Sequence, residues 1–346
     1  MPRHLFVLLF VFIVYSSYAQ KQQFIPVVIA FYNLENLYDT VHNPQVNDRE
    51  FLPDGDRHYT SKIYKDKIDH LATVISQIGT DVNPDGAAIL GVAEVENDTV
   101  LNDLIHHPLL KERNYRFVHF DSRDARGIDV ALIYNSKYLW TDSIQKLFVR
   151  LPAASKESYF TRDVLRVSGK LLGDTIHLLV NHWPSRYGTK EQTEPARIAA
   201  AGTNLAEISK IQSRNEHAKI ILLGDFNDNP VNTSIAKVIN AKSKIEQTPF
   251  QGFYNPWIEK FARGEGTLAY QDAWALFDQV ILSQSLLDKK QQGLFYYRSH
   301  IFKQSYMIQQ EGKYKGYPKR TYDGLNYVGG YSDHFPVYVV LLKKNN

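Results

Sequence analysis

The chain has 346 residues, is 44% hydrophobic, carries a formal charge of +3 and contains no cysteine. That length supports a large buried core without disulfides, and the missing thiols exclude a cysteine nucleophile and any thiolate metal site. With so little net charge, a nucleic-acid ligand would have to be held by a local cluster of arginines rather than by bulk attraction.

The chain opens with MPRHLFVLLFVFIVYSSYAQ, in which Arg3 precedes an apolar block from Leu5 to Tyr15 and then Ser17-Tyr18-Ala19. This is the layout of a secretory signal, too short to span a bilayer comfortably. Residues 1–19 are expected to be a signal peptide and residues 20–346 a single domain. The mature protein is then secreted, periplasmic or held at the cell surface; the alternative is a segment retained as an anchor. No other long apolar run follows, so the mature chain is expected to have no transmembrane segment.

Apolar, β-branched runs recur at 26–34, 87–95, 129–135, 176–183, 219–226, 277–283 and 336–343. Several are continuous rather than alternating, the pattern of strands covered on both faces. Gly173-Asp174 sits between two such runs and signals a hairpin. In 61–79, Ile63, Tyr64, Ile68, Leu71, Ile75 and Ile78 fall at helical spacing and Gly79 is a stop; 194–212 has the same character. Strands with interspersed helices predict an α/β or α+β domain with mixed sheets. The aromatic, glycine-containing stretch 247–271 is expected to be a long surface loop.

Acids, amides and imidazoles gather where these runs end: Asn33, Glu35, Glu94, Glu96, Asn181, His182, Asp225, Asn227, Asp228, Asp278, Asp333 and His334. Strand ends are where an α/β scaffold presents functional groups. Singly, each has an ordinary alternative. Asp225 and Asn227 in GDFNDNP suit a polar turn, and His182 and His334 suit structural histidines. An EF-hand fails there, because Pro230 and Ala236 stand where glycine and a bidentate glutamate are needed. As a set, the acids, amides and histidines suit a hard oxygen-liganded cation such as Mg²⁺ beside acid–base imidazoles, equipment for attack on phosphorus.

Asn33 in FYNLEN, Glu94 in AEVEN, the GDFND run, Asp278 in FDQVILS and SDHFPV at 332–337 follow one another in the order seen in the endonuclease/exonuclease/phosphatase superfamily. The resemblance covers about Val27 to Leu342, and AEVEN, RGIDVALIYN and NHWPSR are similar to a bacterial secreted branch. It implies a four-layer α/β sandwich, two mixed β-sheets packed face to face with helices outside. It also implies a metal-dependent hydrolase of phosphoester bonds, with Mg²⁺ or Mn²⁺ bound by Asn33 and Glu94 and Asp333 helping through water. By the same resemblance Asp225 and Asn227 lie against the scissile phosphate, orienting or deprotonating the attacking water, and His334 paired with Asp278 is the other candidate base. His182 stabilises the phosphorane oxygens and Arg162 contacts the phosphate. Ala93 replaces the family's usual glutamine, and Asp129 is the expected partner of His182.

For a nuclease, Arg126, Arg186 and Tyr187 are candidates to line a nucleic-acid groove. The alternatives are a small phosphoester or phospholipid headgroup substrate, for which Tyr254 and Trp257 would form a membrane-contacting hairpin, and a non-catalytic binding protein on the same fold. No stable protein partner is implied.

Overall fold

The computed structural model describes residues 23–152, 160–291 and 293–345, so the expected signal peptide lies outside the described residues. In chain order the first half contains β1 (Phe24–Leu37), α1 (Ser61–Gln77), β2 (Ala87–Val95), α2 (Asp98–Ile105), β3 (Tyr115–His119), β4 (Asp129–Asn135), β5 (Leu139–Leu147), β6 (Val164–Leu171) and β7 (Asp174–His182). The second half contains α3 (Lys190–Arg214), β8 (Lys219–Asp225), β9 (Phe253–Tyr254), α4 (Trp257–Ala262), β10 (Leu268–Tyr270), β11 (Ala273–Ala275) and β12 (Asp278–Ser283). It ends with β13 (Phe295–Ile301), β14 (Tyr322–Asp323), β15 (Asn326–Tyr327) and β16 (Val337–Lys344).

Twelve of these strands form two six-stranded mixed sheets, ordered β13-β16-β1-β2-β4-β3 and β5-β6-β7-β8-β12-β9. Continuous apolar runs are needed because both faces of each central strand are covered. In β1, Val27, Ile29 and Phe31 face the opposite sheet, where Ile221, Leu223 and Val280 meet them. Val28, Ala30 and Tyr32 of the same strand face α1 through Ile68, Leu71 and Ile75. β8 repeats this, with Ile220 and Leu222 packed against Ala200, Ala201 and Ile208 of α3. Helix, sheet, sheet and helix therefore form the four layers expected from the resemblance. Each aliphatic side chain buried this way contributes roughly 1.5–3 kcal/mol.

The sequence signals at element ends hold in detail. Thr60 caps α1, its side chain accepting from the Ile63 N–H. Gly79 follows at φ +74°, where an added Cβ would meet Val28 at 2.6 Å, so the helix stops on a glycine that both the left-handed backbone and the close approach require. β6 and β7 pair from Leu165↔Val180 to Leu171↔Asp174 around the expected hairpin. Stretch 247–271 departs from the expected surface loop: it contains β9, which adds to the edge of a sheet, and α4. Trp257 is fully buried and donates its indole N–H to the Val280 carbonyl at 3.0 Å, while Tyr254 is 9% exposed. The two aromatics are core rather than a membrane hairpin. Among the described residues no helix is long and apolar enough to cross a membrane.

Candidate active site

The two sheets bring their functional ends to one place through strand register. Asp225, the last residue of β8, is paired with His182 on the parallel neighbour β7 and with Asp278 on the antiparallel neighbour β12. β1 of the other sheet lies across this row, and its Asn33 donates through Nδ2 to Asp225 Oδ2 at 3.1 Å and to Glu94 Oε1 at 3.3 Å. Glu94 reaches this position through an irregularity in β2 at which its own backbone is left-handed (φ +63°). Such a conformation costs a non-glycine residue about 1 kcal/mol or more and persists where surrounding structure enforces it. Here the Asn36 N–H holds Glu94 Oε2 at 2.9 Å.

Ser332, Asp333 and His334 are tied into the same cluster. The Ser332 hydroxyl donates to the Asn33 carbonyl at 2.7 Å and accepts from the His334 N–H at 3.1 Å. Imidazole Nδ1 of His334 meets Asp278 Oδ2 at 2.7 Å, and that carboxylate also accepts from Thr267 Oγ1 at 2.5 Å. Asp278 therefore fixes the ring and leaves Nε2 facing Asp225 Oδ2 at 3.9 Å and Asp333 Oδ1 at 4.0 Å. His182 Nε2 lies 3.7 Å from Asp225 Oδ2 and 3.8 Å from Glu94 Oε1. Asn227 is held by its N–H to Asp225 Oδ1 at 2.9 Å and by Nδ2 to the Trp183 carbonyl at 3.0 Å. Arg162 donates to the same carbonyl and to Asp124, both at 2.8 Å.

The electrostatics divide the two histidines. Burial, then Arg162, Arg126 and His334, hold His182 well below the usual imidazole range, so it is neutral. Burial also opposes a charge on His334, but Asp278, Asp225 and Asp333 outweigh it and raise its pKa well above the usual range. Burial pushes Asp225 up to about 6, with His334 opposing and Asp278 and Glu94 adding to the rise.

The structure thus brings together Asn33, Glu94, His182, Asp225, Asn227, Asp278, Asp333 and His334. Of the arginines, Arg126 feels the Glu94 charge and is half exposed, its Nε 3.5 Å from Asp124. Arg186 is already engaged, donating to Asp228 Oδ1 at 2.8 Å and to the Asn227 carbonyl at 2.7 Å, with its guanidinium over Phe277. Tyr187 is 95% exposed. One expectation is corrected. Asp129 does not partner His182; it begins a strand of the other sheet, accepts from the Ser122 N–H at 2.9 Å and lies 3.7 Å from His119. Among the described residues His182 Nδ1 has no partner.

Sequence patterns gave no sign of Arg320, which reaches Asp333 Oδ2 at 3.2 Å, because it sits in YPKRTYDG without strand or motif. Nor did they show that Glu35 is buried with Lys67, both meeting at Thr321. Burial and the Asp333 charge push Glu35 up to about 7.

A divalent metal fits this donor set. Glu94 and Asp225 converge on one amide, Asn33, and Asp225, Asp278 and His334 offer ligand atoms within 4.8 Å of one another. Buried carboxylates in this number are the hard-oxygen chemistry of such an ion.

Acids, amides and histidines gathered at these strand ends are the equipment of metal-assisted hydrolysis. The sequence profile described as the Endonuclease/Exonuclease/phosphatase family matches residues 28–343, and the chain belongs to that family. Its fold is similar to an endonuclease/exonuclease/phosphatase family protein from Bacteroides thetaiotaomicron (16% identity, TM-score 0.56, 92% of this chain and 98% of that one covered). It is also similar to a mannosyl-6-phosphatase from the same organism (16%, 0.55, 91% and 99%) and to D. rerio TDP2 complexed with single strand DNA product (14%, 0.52, 91% and 98%). No curated protein matches the chain.

Proposed function

We propose that this hydrolase is an exported, Mg²⁺-dependent phosphodiesterase that cuts nucleic acid by in-line attack of water, leaving a 5′-phosphate and a 3′-hydroxyl. The observation that carries the reading is the single row His182, Asp225, Asp278 in one sheet, faced by Asn33 and Glu94 from the other and completed by His334. Asn33 and Glu94 would hold the ion, with Asp333 helping through water. When bound, the ion neutralises phosphate charge and supports the leaving oxygen. Asp225, oriented by Asn33 and by the Asn227 N–H, takes the proton of the attacking water. His334 is an imidazolium fixed by Asp278, and it binds a phosphate oxygen through Nε2. Neutral His182 donates through Nε2 to the equatorial oxygens as charge accumulates there. Arg162 and Arg126 place positive charge beside the phosphate.

The test is a panel of plasmid DNA, RNA, sphingomyelin and simple phosphomonoesters, each with Mg²⁺ and with EDTA. Cleavage of nucleic acid that EDTA abolishes is expected; turnover of monoesters alone would overturn the nuclease reading. Export is tested by the mass of the processed protein, which should begin at Gln20.

A further inference from the structure

Beside Asp333 a cavity of about 400 Å³ opens between two small elements outside the main sheets. One wall is the ribbon of β10 and β11, whose turn places Gln271 and Asp272 in left-handed backbone (φ +48° and +60°). The other is the segment 307–319, folded back on itself by N–H to carbonyl bonds from Gln309 to Tyr317, Gly316 to Gln309 and Lys319 to Met307, each 2.8 Å. The walls are tied at Tyr317, whose hydroxyl accepts from the Asp272 N–H at 2.6 Å and donates to its carboxylate at 2.7 Å, and whose ring lies 6.2 Å from that of Trp274. Tyr270, 73% exposed, and Tyr314 present rings to this space, with Lys313 at its rim. Arg320 and Asp333 close the end next to the active site. Arg320 is placed there by a tight backbone crossing, since a Cβ on Gly330 would lie 1.9 Å from the Arg320 carbonyl.

Aromatic rings near cations beside a phosphate site are the elements of base stacking. The volume suits one ring-bearing unit and is far too small for a double helix. We propose that this cavity receives a single unpaired nucleoside adjoining the scissile phosphate. The base stacks on Tyr270 and Tyr314, and Arg320 spans from Asp333 to the phosphate beside it. The enzyme would therefore prefer single-stranded or frayed nucleic acid over intact duplex. This rests on the nuclease reading above.

The test compares kcat/KM on a single-stranded oligonucleotide, its duplex, and single strands carrying an abasic residue on either side of the cut. Wild type and the variants Tyr270→Ala and Tyr314→Ala are all assayed. The wild type should favour the single strand over the duplex. An abasic residue on one side of the cut should lower kcat/KM roughly ten- to hundred-fold. Each tyrosine variant should lose most of that factor on the normal strand, chiefly in KM, and lose little more on the abasic one. Equal cutting of strand and duplex, with abasic substrates and tyrosine variants indistinguishable from wild type, overturns the cavity assignment and leaves the nuclease reading standing. Failure to cut any nucleic acid while a monoester is turned over removes both.

Discussion

Asp225 and Asp228 stand three residues apart on one turn, and both are nearly inaccessible, 2% and 1% exposed. Their surroundings are opposite. Asp228 is met by Arg186 at 2.8 Å, Arg197 at 2.9 Å and the Ser234 hydroxyl at 2.6 Å. Asp225 is met by an asparagine amide, a backbone N–H and two histidines, and among the described residues no lysine or arginine pairs with it. A buried carboxylate costs several kcal/mol unless its charge is answered. The fold answers Asp228 itself, and the two arginines thereby anchor the turn that follows β8. It leaves Asp225 with no lysine or arginine among the described residues and only the His334 imidazole 3.9 Å away, so burial still raises its pKa, the condition a base at a phosphate site requires. Burial alone therefore does not distinguish a functional acid from a structural one; the source of its countercharge does.

The contrast breaks most directly at Asp225. Asp225→Asn should lower kcat about 10²- to 10⁴-fold, while urea unfolding of the metal-free protein near pH 7 should show equal or greater stability, because burial disfavours the Asp225 carboxylate more than the His334 charge favours it. Activity within a few-fold of wild type would end its assignment as base. Asp228→Ala should do the reverse. It strands Arg197, itself 2% exposed, at a cost of about 3–5 kcal/mol, read as a lower urea midpoint, while the folded fraction keeps kcat within a few-fold. A stable but inactive Asp228 variant would move that residue into the chemistry and dissolve the comparison.

From the sequence, the two aspartates differ only in position within GDFND. The side chains that the structure gathers into one cluster were legible because each stands at the end of an apolar run and the motifs are short and ordered. That the central strands are covered on both faces was legible because runs such as β1 and β8 are continuously apolar; the four layers themselves came from the resemblance. What covers Asp228 was not legible, since Arg186 and Arg197 come from a loop and from α3, and pairing across such distances leaves no local pattern. The same reason hid the Arg320–Asp333 contact and the burial of Lys67 against Thr321. Tyr254 and Trp257 misled because a cluster of aromatics next to glycine and proline looks alike whether it caps a core or faces solvent. Asp129 misled because adjacency to a matching motif does not fix which way a strand-end side chain turns.

His182 sharpens the comparison from the imidazole side. Burial and two arginines hold it neutral, so under the proposed mechanism it serves as a hydrogen-bond donor rather than a titrating group. His182→Ala should cost about 10²- to 10³-fold in kcat, yet leave the shape of the pH–rate profile unchanged across the neutral range. His334→Ala should instead alter that shape, because His334 carries the raised pKa. A profile that shifts with His182 and not with His334 would reverse the two roles.

The smallest effect belongs to a third acid that resolves its charge as Asp228 does, but at the edge of solvent. Asp174, at the start of β7, binds Lys219 and Lys343 and accepts the Leu294 N–H at 2.7 Å. Burial opposes its charge, but the two lysines and that N–H outweigh burial and hold it below the usual carboxylate range. A folded pKa lower than the unfolded one means that the native state favours the ionised form. The stabilisation is complete above the unfolded value, near 4, and disappears as pH falls through the lower folded value. Asp174→Asn should therefore cost about 1 kcal/mol at pH 7, a figure already discounted for the solvent around the lysines, and progressively less below about pH 4. Catalysis should be untouched, since the hairpin lies at the opposite end of β7 from His182. Equal destabilisation at pH 7 and pH 3 would show that Asp174 acts through shape rather than charge.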